Sequence, residues 1–277
     1  MKDNILNKIF NLNKPIIGML HLDILLGSPE YKGLDYVVNK AKKDIDALQR
    51  GGINGILIEN WKENSIGPFV QQETTASFAV VAYELSKYIK VPFGINVLNN
   101  DYKTALAVAA LTNASFIQMD VFVDYVKSNF TFSQKGKKTP FKIKVDPKDV
   151  HNYARRLGLE KIPIFVFIQP KHYKMLEKNK TIEESTKQAF KEGAAGVLIT
   201  KSTGFEPSLE LIKKAKSVAG NMPVGIGSGL SIENAKEYLS IADFAIVGTS
   251  IKVNGITNNP VDKERVKKLM KAVSSTR

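Results

Sequence analysis

Short apolar runs alternate with longer amphipathic stretches along the chain, a pattern that predicts parallel strands joined by crossover helices. The first run is Pro15-Ile16-Ile17-Gly18-Met19-Leu20. Over residues 35–50, Val37, Val38, Ala41, Ile45 and Leu48 recur on one face at helical spacing, and Gly51-Gly52 ends that helix. Further strands are expected at 55–59, 92–96, 115–119, 164–168, 196–199, 223–226 and 244–247. Helices are expected at 70–88, 102–111, 147–157, 181–191, 207–218, 232–239 and 262–273, with Ser231 as the N-cap of the one at 232–239. Eight strand–helix units define the expected fold class: α/β, a (β/α)8 TIM barrel, as one domain over residues 1–277.

Two segments break the rhythm. Residues 1–13 are polar with scattered apolar positions, and are read as an N-terminal extension whose short helix docks on the barrel. They lack a signal-peptide core. Residues 121–145 form an insertion after the fourth strand that is too long for an ordinary strand–helix loop. Phe141, Ile143 and Val145 alternate with Lys142 and Lys144, the period of a half-buried strand. Residues 129–133 are expected to pair with it as a hairpin across Lys135-Gly136-Lys137-Lys138. A lid, an oligomer contact (hence a homo-oligomer) and a mobile basic excursion all fit this segment.

Composition narrows the partners. No apolar run approaches the roughly eighteen residues of a membrane span, so no membrane insertion is expected. The absence of cysteine excludes disulfides, thiolate metal sites and a cysteine nucleophile, and makes the cytoplasm the expected location. The formal charge of +13 comes almost wholly from lysine. Arginine, the better bidentate reader of phosphate, is scarce, which argues against a nucleic-acid partner. The surplus charge suits attraction of a small anionic substrate to the barrel mouth.

Two glycine-bearing turns near the end of the chain carry the clearest chemistry. Gly227-Ser228-Gly229 follows the strand at 223–226, and Gly248-Thr249-Ser250 follows the strand at 244–247 and opens a short helix of its own. Glycine lets backbone approach a ligand, and free amides at a helix start favour an anion. Two such turns after strands seven and eight match the phosphate pocket of many β/α barrels. Gly227, Ser228, Gly229, Gly248, Thr249 and Ser250 are therefore the expected phosphate-binding set.

Polar residues at the other strand ends share that mouth. Glu59 closes an apolar strand and is the candidate general base, with Asp120 and Lys171 as further catalytic candidates. His21, Asn96, His172 and Lys201 are candidates for substrate binding. Lysines at such positions form Schiff bases or hold anions. No local pattern supports a metal site, a Ser-His-Asp triad or a dinucleotide fingerprint, so no metal or cofactor is expected.

These motifs resemble one family. Pro15-Ile16-Ile17-Gly18-Met19-Leu20-His21-Leu22 with Gly27-Ser28-Pro29 is similar to the opening signature of the BtpA/SgcQ family. So are Gly51-Gly52-Ile53-Asn54-Gly55-Ile56-Leu57-Ile58-Glu59-Asn60, Gly94-Ile95-Asn96-Val97-Leu98-Asn99-Asn100-Asp101, the two glycine turns, and Asn259-Pro260-Val261-Asp262. The resemblance implies a barrel of the ribulose-phosphate-binding type, and proteins named for photosystem I biogenesis or found beside sugar-phosphate metabolism genes. The family's loop after strand one is proline-rich, whereas here it reads Asp23-Ile24-Leu25-Leu26. After strand five the family carries an Asp-x-His pattern before a Lys-His pair, whereas here Phe167-Ile168-Gln169 precedes Pro170-Lys171-His172. The expected function is an enzyme of lyase, isomerase or hydrolase type acting on a small phosphorylated sugar or nucleoside-like substrate. The alternative is a non-catalytic assembly or regulatory factor.

Overall fold

A computed structural model of the chain describes residues 4–62, 67–129, 132–134 and 137–274. The apolar runs form eight parallel strands: β1 (Ile16–His21), β2 (Gly55–Glu59), β3 (Phe93–Asn96), β4 (Phe116–Met119), β5 (Ile164–Ile168), β6 (Gly196–Ile199), β7 (Val224–Ile226) and β8 (Phe244–Val247). They close in chain order, with β8 returning to β1. Eight helices follow them: α1 (Leu34–Arg50), α2 (Gln72–Ser86), α3 (Tyr102–Thr112), α4 (Pro147–Arg156), α5 (Ile182–Lys191), α6 (Leu209–Ala219), α7 (Ala235–Ile241) and α8 (Lys263–Ser274). This is the (β/α)8 barrel that the hydrophobic pattern predicts.

Because side chains alternate along a strand, the barrel strands face two cores. Inward-facing Ile17, Met19, Leu57, Phe116, Phe165, Phe167, Leu198, Phe244 and Ile246 fill the barrel. Outward-facing residues pack against the helices. The interior is aromatic, with Phe116–Phe165 and Phe165–Phe244 ring centroids 5.4 and 5.1 Å apart. A Cβ at Gly94 would lie 2.2 Å from the Phe116 ring, so the small residue makes room for the large one. The N-terminal helix Ile5–Phe10 plugs the bottom by adding Leu6 and Phe10 to this cluster, its start capped by the Asn4 side chain.

Register decides what the top presents. His21 pairs with Glu59, and Glu59 with Asn96. The last residues of β1, β2 and β3 therefore form one polar row above the apolar filling.

Local signals set several helix starts. Thr181 and Glu184 form a capping box at α5, and the Ser208 side chain accepts the Leu211 N–H at α6. Ser231 is not the cap of α7. That helix starts at Ala235, and Asn234 organises the approach by accepting the Ser231 N–H and donating to the Gly229 carbonyl. A single amide side chain serves two loop groups there, which a serine hydroxyl at 231 does not.

Within 121–145, Val126–Ser128 pairs antiparallel with Lys142–Ile143 on one side and with Tyr173–Met175 of the β5–α5 loop on the other. Phe132–Gln134 pairs with Lys137–Thr139. The strand expected at 141–145 thus meets Val126–Ser128 instead of residues 129–133. That register buries Val121, Val126, Ile143 and Tyr173 together. Residues 130–131 and 135–136 of the expected hairpin, and residues 1–3 of the expected extension, lie outside the described residues.

One charged pair is sealed inside the shell. Lys252, 1% exposed, places Nζ 3.5 Å from Asp44 Oδ2, and Asp44 Oδ1 also accepts the Val261 N–H at 2.9 Å. The pair ties α1 to the segment after β8. Removing one partner of a buried pair leaves the other charge uncompensated, so Asp44→Ala is expected to lower stability by about 3–5 kcal/mol. The double variant Asp44→Asn with Lys252→Met, which keeps the volume and removes both charges, is expected to cost less. Urea unfolding of both variants checks the order.

Candidate functional site

The polar row and the loops above it enclose a cavity of about 280 Å³ at the C-terminal mouth. Met19, Phe167 and Ile246 are among its apolar lining, and His21, Glu59, Gln118, Asp120, Lys171 and His172 supply its ionisable and amide groups. Gly227, Ser228, Gly229, Gly248 and Thr249 line it from β7 and β8.

A hydrogen-bonded chain crosses the ends of β2, β3 and β4. The Asn96 amide donates both to Glu59 Oε2 and to Gln118 Oε1, each at 2.7 Å. Gln118 in turn donates to Asp120 Oδ1 at 3.2 Å. His21 Nε2 lies 3.7 Å from Glu59 Oε1. Glu59 and Asp120 are 7% and 9% exposed. Burial disfavours their charged forms, and the Asp120 charge adds to the effect on Glu59. The Glu59 pKa is pushed up to about 8, although Lys171 and the Asn96 bond oppose the rise. Asp120 is pushed up to about 6, held lower by the Gln118 bond, Lys171 and Asn96.

The surrounding groups shift in the matching sense. Burial lowers the Lys171 pKa against the pull of Glu59 and Asp120. Burial and the charge of Lys252 hold His21 well below its ordinary value, with Lys171 adding to them and the Thr257 backbone acting the other way. Burial and Lys171 lower His172. At neutral pH the site thus contains a protonated Glu59, an ionised Asp120 and two neutral imidazoles.

The loop bearing Lys171 is held from several sides. Asp124, 2% exposed, accepts the Gln169 N–H and the Ser185 hydroxyl, both at 2.7 Å, and pairs with Lys180 Nζ at 3.1 Å. Asn129 N–H donates to the His172 carbonyl at 2.8 Å. His172 Nε2 meets Thr203 Oγ1 at 2.9 Å. The Gln169 side-chain amide donates to the Lys180 carbonyl at 2.8 Å.

The glycine turns differ in what they can tolerate. Gly229 has φ +77°, and a Cβ there would lie 2.0 Å from the Glu206 backbone nitrogen. Only glycine fits. Gly248 is less confined, its nearest contact being the Met19 side chain at 3.4 Å. The following turn, Thr249–Ile251, is a short 3-10 helix whose first amides have no intrahelical acceptor.

Three expected site residues stand apart from the cavity wall. Lys201 is exposed, and its contribution is a backbone N–H donated to Ser228 Oγ at 3.2 Å. The Ser250 hydroxyl is spent on the Leu230 carbonyl at 2.6 Å. Asn96 lies beneath the cavity, where both its donors are used to hold Glu59 and Gln118. Ser228 lines the cavity, yet its hydroxyl donates to the Phe205 carbonyl at 3.0 Å, which leaves backbone as its offering to a ligand.

Trp61 was not among the sequence candidates. Its ring stacks on His21 with centroids 4.8 Å apart and planes 19° from parallel, and Nε1 donates to Asn258 Oδ1 at 2.9 Å. It is the only tryptophan and stands two residues past Glu59, which was the available signal. Asn99 and Thr203, also on the wall, carry no such mark. Among the described residues, no three His, Asp or Glu side chains converge in a way that could hold a metal ion, and no helix is long and apolar enough to cross a membrane.

Fold and site together define a β/α barrel with a carboxylate-bearing cavity at its C-terminal mouth. The chain belongs to the BtpA family, whose model matches residues 12–275. It is 34% identical over 264 residues to an uncharacterized protein of Archaeoglobus fulgidus, covering 94% of this chain and 99% of that one. It is 28% identical to the photosystem I biogenesis protein BtpA of Synechocystis sp., covering 96% and 90%. Among solved structures, thiamine phosphate pyrophosphorylase from Pyrococcus furiosus shares the fold, with a TM-score of 0.56 and 16% identity over 99% of each chain.

The raised Glu59 pKa has a consequence for stability. A carboxyl that binds its proton more tightly when folded contributes stability that is full below its ordinary value of 4.5 and is lost as pH rises through about 8. The wild-type melting temperature should therefore fall across that window. Glu59→Gln cannot ionise and should flatten the profile, exceeding wild type on the alkaline side by several degrees at roughly 2–4 °C per kcal/mol. Scanning calorimetry of both proteins across the window checks the sign.

Proposed function

We propose that this protein is an enzyme of isomerase or lyase type that moves a proton on a small phosphorylated, carbonyl-bearing substrate such as a sugar phosphate. The observation that carries this reading is the pair of buried carboxylates facing one cavity, with proton affinities separated to about 8 for Glu59 and about 6 for Asp120. Such a separation assigns an acid and a base at the same pH. Protonated Glu59 would donate to the carbonyl oxygen while ionised Asp120 takes a proton from the neighbouring carbon. This refines the role expected for Glu59, which serves first as the acid. His21, neutral and stacked on Trp61, would orient the substrate oxygens.

The phosphate would sit between the turns after β7 and β8, against the amides of Ser228, Gly229 and Thr249. The forced glycine at 229 and the open amides of Thr249 and Ser250, ahead of the Ile251 N–H that bonds the Gly248 carbonyl, support that position. The solved relative in fold is named for a thiamine phosphate, which agrees with a phosphate-handling barrel. The name of the Synechocystis relative suggests a second, non-catalytic reading. It leaves the split carboxylates without a use.

The test is solvent exchange. In deuterated water, a panel of aldose and ketose phosphates is followed by proton NMR for loss of carbon-bound proton signals. The expected result is exchange in at least one compound, with Glu59→Gln and Asp120→Asn each slowing it by about 10²–10⁴-fold. Inorganic phosphate should raise the melting temperature of wild type, and Gly248→Val, which adds a side chain to the cavity beside Met19 and His21, should abolish that rise. No exchange together with no effect of phosphate would contradict the reading.

A further inference from the structure

Among the described residues, Lys252, Lys180 and Lys171 are withdrawn from water, and they are not used alike. Lys252 is sealed against Asp44, and Lys180 is paired with Asp124 and bonded to the Val123 carbonyl at 2.9 Å. Lys171 instead lines the cavity, its Nζ 6.0 Å from the centroid of the Phe167 ring. Among the described residues it makes no ion pair within 4.0 Å. It shares the cavity with Glu59 and Asp120, and both lie close enough to act on it electrostatically.

The backbone that presents it is held in an uncommon shape. Gln169 and His172, on either side of Pro170-Lys171, have φ of +46° and +67°. Left-handed conformations at residues with a Cβ persist where the surroundings impose them, and they gather at functional sites. Here the imposing contacts are the Asp124 carboxylate on the Gln169 N–H, the Asn129 N–H on the His172 carbonyl, and the ladder of Tyr173–Met175 with Val126–Ser128. The insertion after β4 thus serves as the scaffold of the lysine loop. A lysine that only added positive charge to the mouth would need no such anchoring.

We propose that Lys171 forms a covalent imine with the carbonyl carbon of a phosphorylated ketose or aldose bound in this cavity. The proposal rests on the phosphate and acid–base reading above. A lysine in a desolvated pocket is a better nucleophile because its neutral amine is more populated, and burial moves Lys171 in that direction. The Nζ lone pair attacks the carbonyl carbon, a C–N bond forms, and the carbonyl π pair moves to oxygen. That oxygen takes the proton of Glu59, and Asp120 accepts one proton from the attached nitrogen. The hydroxyl then leaves with the Asp120 proton as water, as the nitrogen lone pair closes the C=N bond. The products are a protonated imine, two carboxylates and one water, which balances the neutral amine, the acid Glu59, the Asp120 carboxylate and the carbonyl compound.

The test uses the full chain with dihydroxyacetone phosphate, glyceraldehyde phosphate and a pentulose phosphate as probes, in the presence of sodium cyanoborohydride. This reagent reduces an imine to a stable amine that intact mass and peptide mapping detect. The expected result is one adduct on the peptide carrying Lys171 with at least one probe, reduced by competing inorganic phosphate. Loss of that adduct is expected in Lys171→Arg and in Lys171→Met; Arg retains the charge, so at least one variant should keep the wild-type melting behaviour. An unlabelled wild type, or equal labelling of wild type and both variants, overturns the covalent step. The phosphate-induced rise in melting temperature is read on the same samples. A rise without an adduct sinks the imine and leaves the acid–base reading standing, whereas absence of both sinks both.

Discussion

Withdrawal of the Glu59 carboxyl from water, at the point where four strand ends converge, is the constraint on which the rest of the site depends. Its proton is retained to about pH 8 because burial penalises the anion and Asp120 already holds a charge nearby. The opposing contacts, the Asn96 amide and the charge of Lys171, are too few to restore ordinary acidity. The same low-polarity surroundings act on the neighbours. They keep His21 neutral, raise Tyr173 well above its ordinary value, and lower Lys171. Burial thus moves these groups together with Asp120 and His172.

The fold makes that burial tolerable. Leu6 and Phe10 pack into the aromatic lower barrel at the end opposite the cavity. The register of β1, β2 and β3 brings His21, Glu59 and Asn96 level, so that an amide is available beside the carboxyl. Asn96 commits both donors to its neighbours and thereby fixes Gln118, which positions Asp120. On the far side, the Asp124 network and the strand ladder of the insertion hold the loop that supplies Lys171. Charged groups on rigid supports cost less to keep in place than groups on free loops.

Much of this could be read from the chain. Strand–helix alternation identified the barrel, because parallel strands buried on both faces appear as short continuous apolar runs. The polar residue just past each run then marked the mouth, and the glycines after β7 and β8 marked two turns that do line the cavity. What escaped were choices that only three-dimensional competition decides. Lys201 and Ser250 fall at the right places in sequence, but one side chain turns to solvent and the other finds a carbonyl at 2.6 Å. Asn96 turned out to hold the acid beneath the cavity. Trp61 follows Glu59 in a turn where no periodicity points its ring, so its stacking on His21 was invisible beforehand. Val126–Ser128 also pairs with Tyr173–Met175, a distant strand of the β5–α5 loop that gives no sequence sign of its partner.

The central claim is that two carboxyls in one cavity keep different protons at the same pH. Carbon-13 NMR of protein labelled at the Glu and Asp side-chain carboxyls measures it directly, with Glu59→Gln and Asp120→Asn used to assign the two signals. The account predicts titration midpoints near about 8 for Glu59 and about 6 for Asp120. Midpoints for both groups in the ordinary carboxylate range, near about 4, would contradict it.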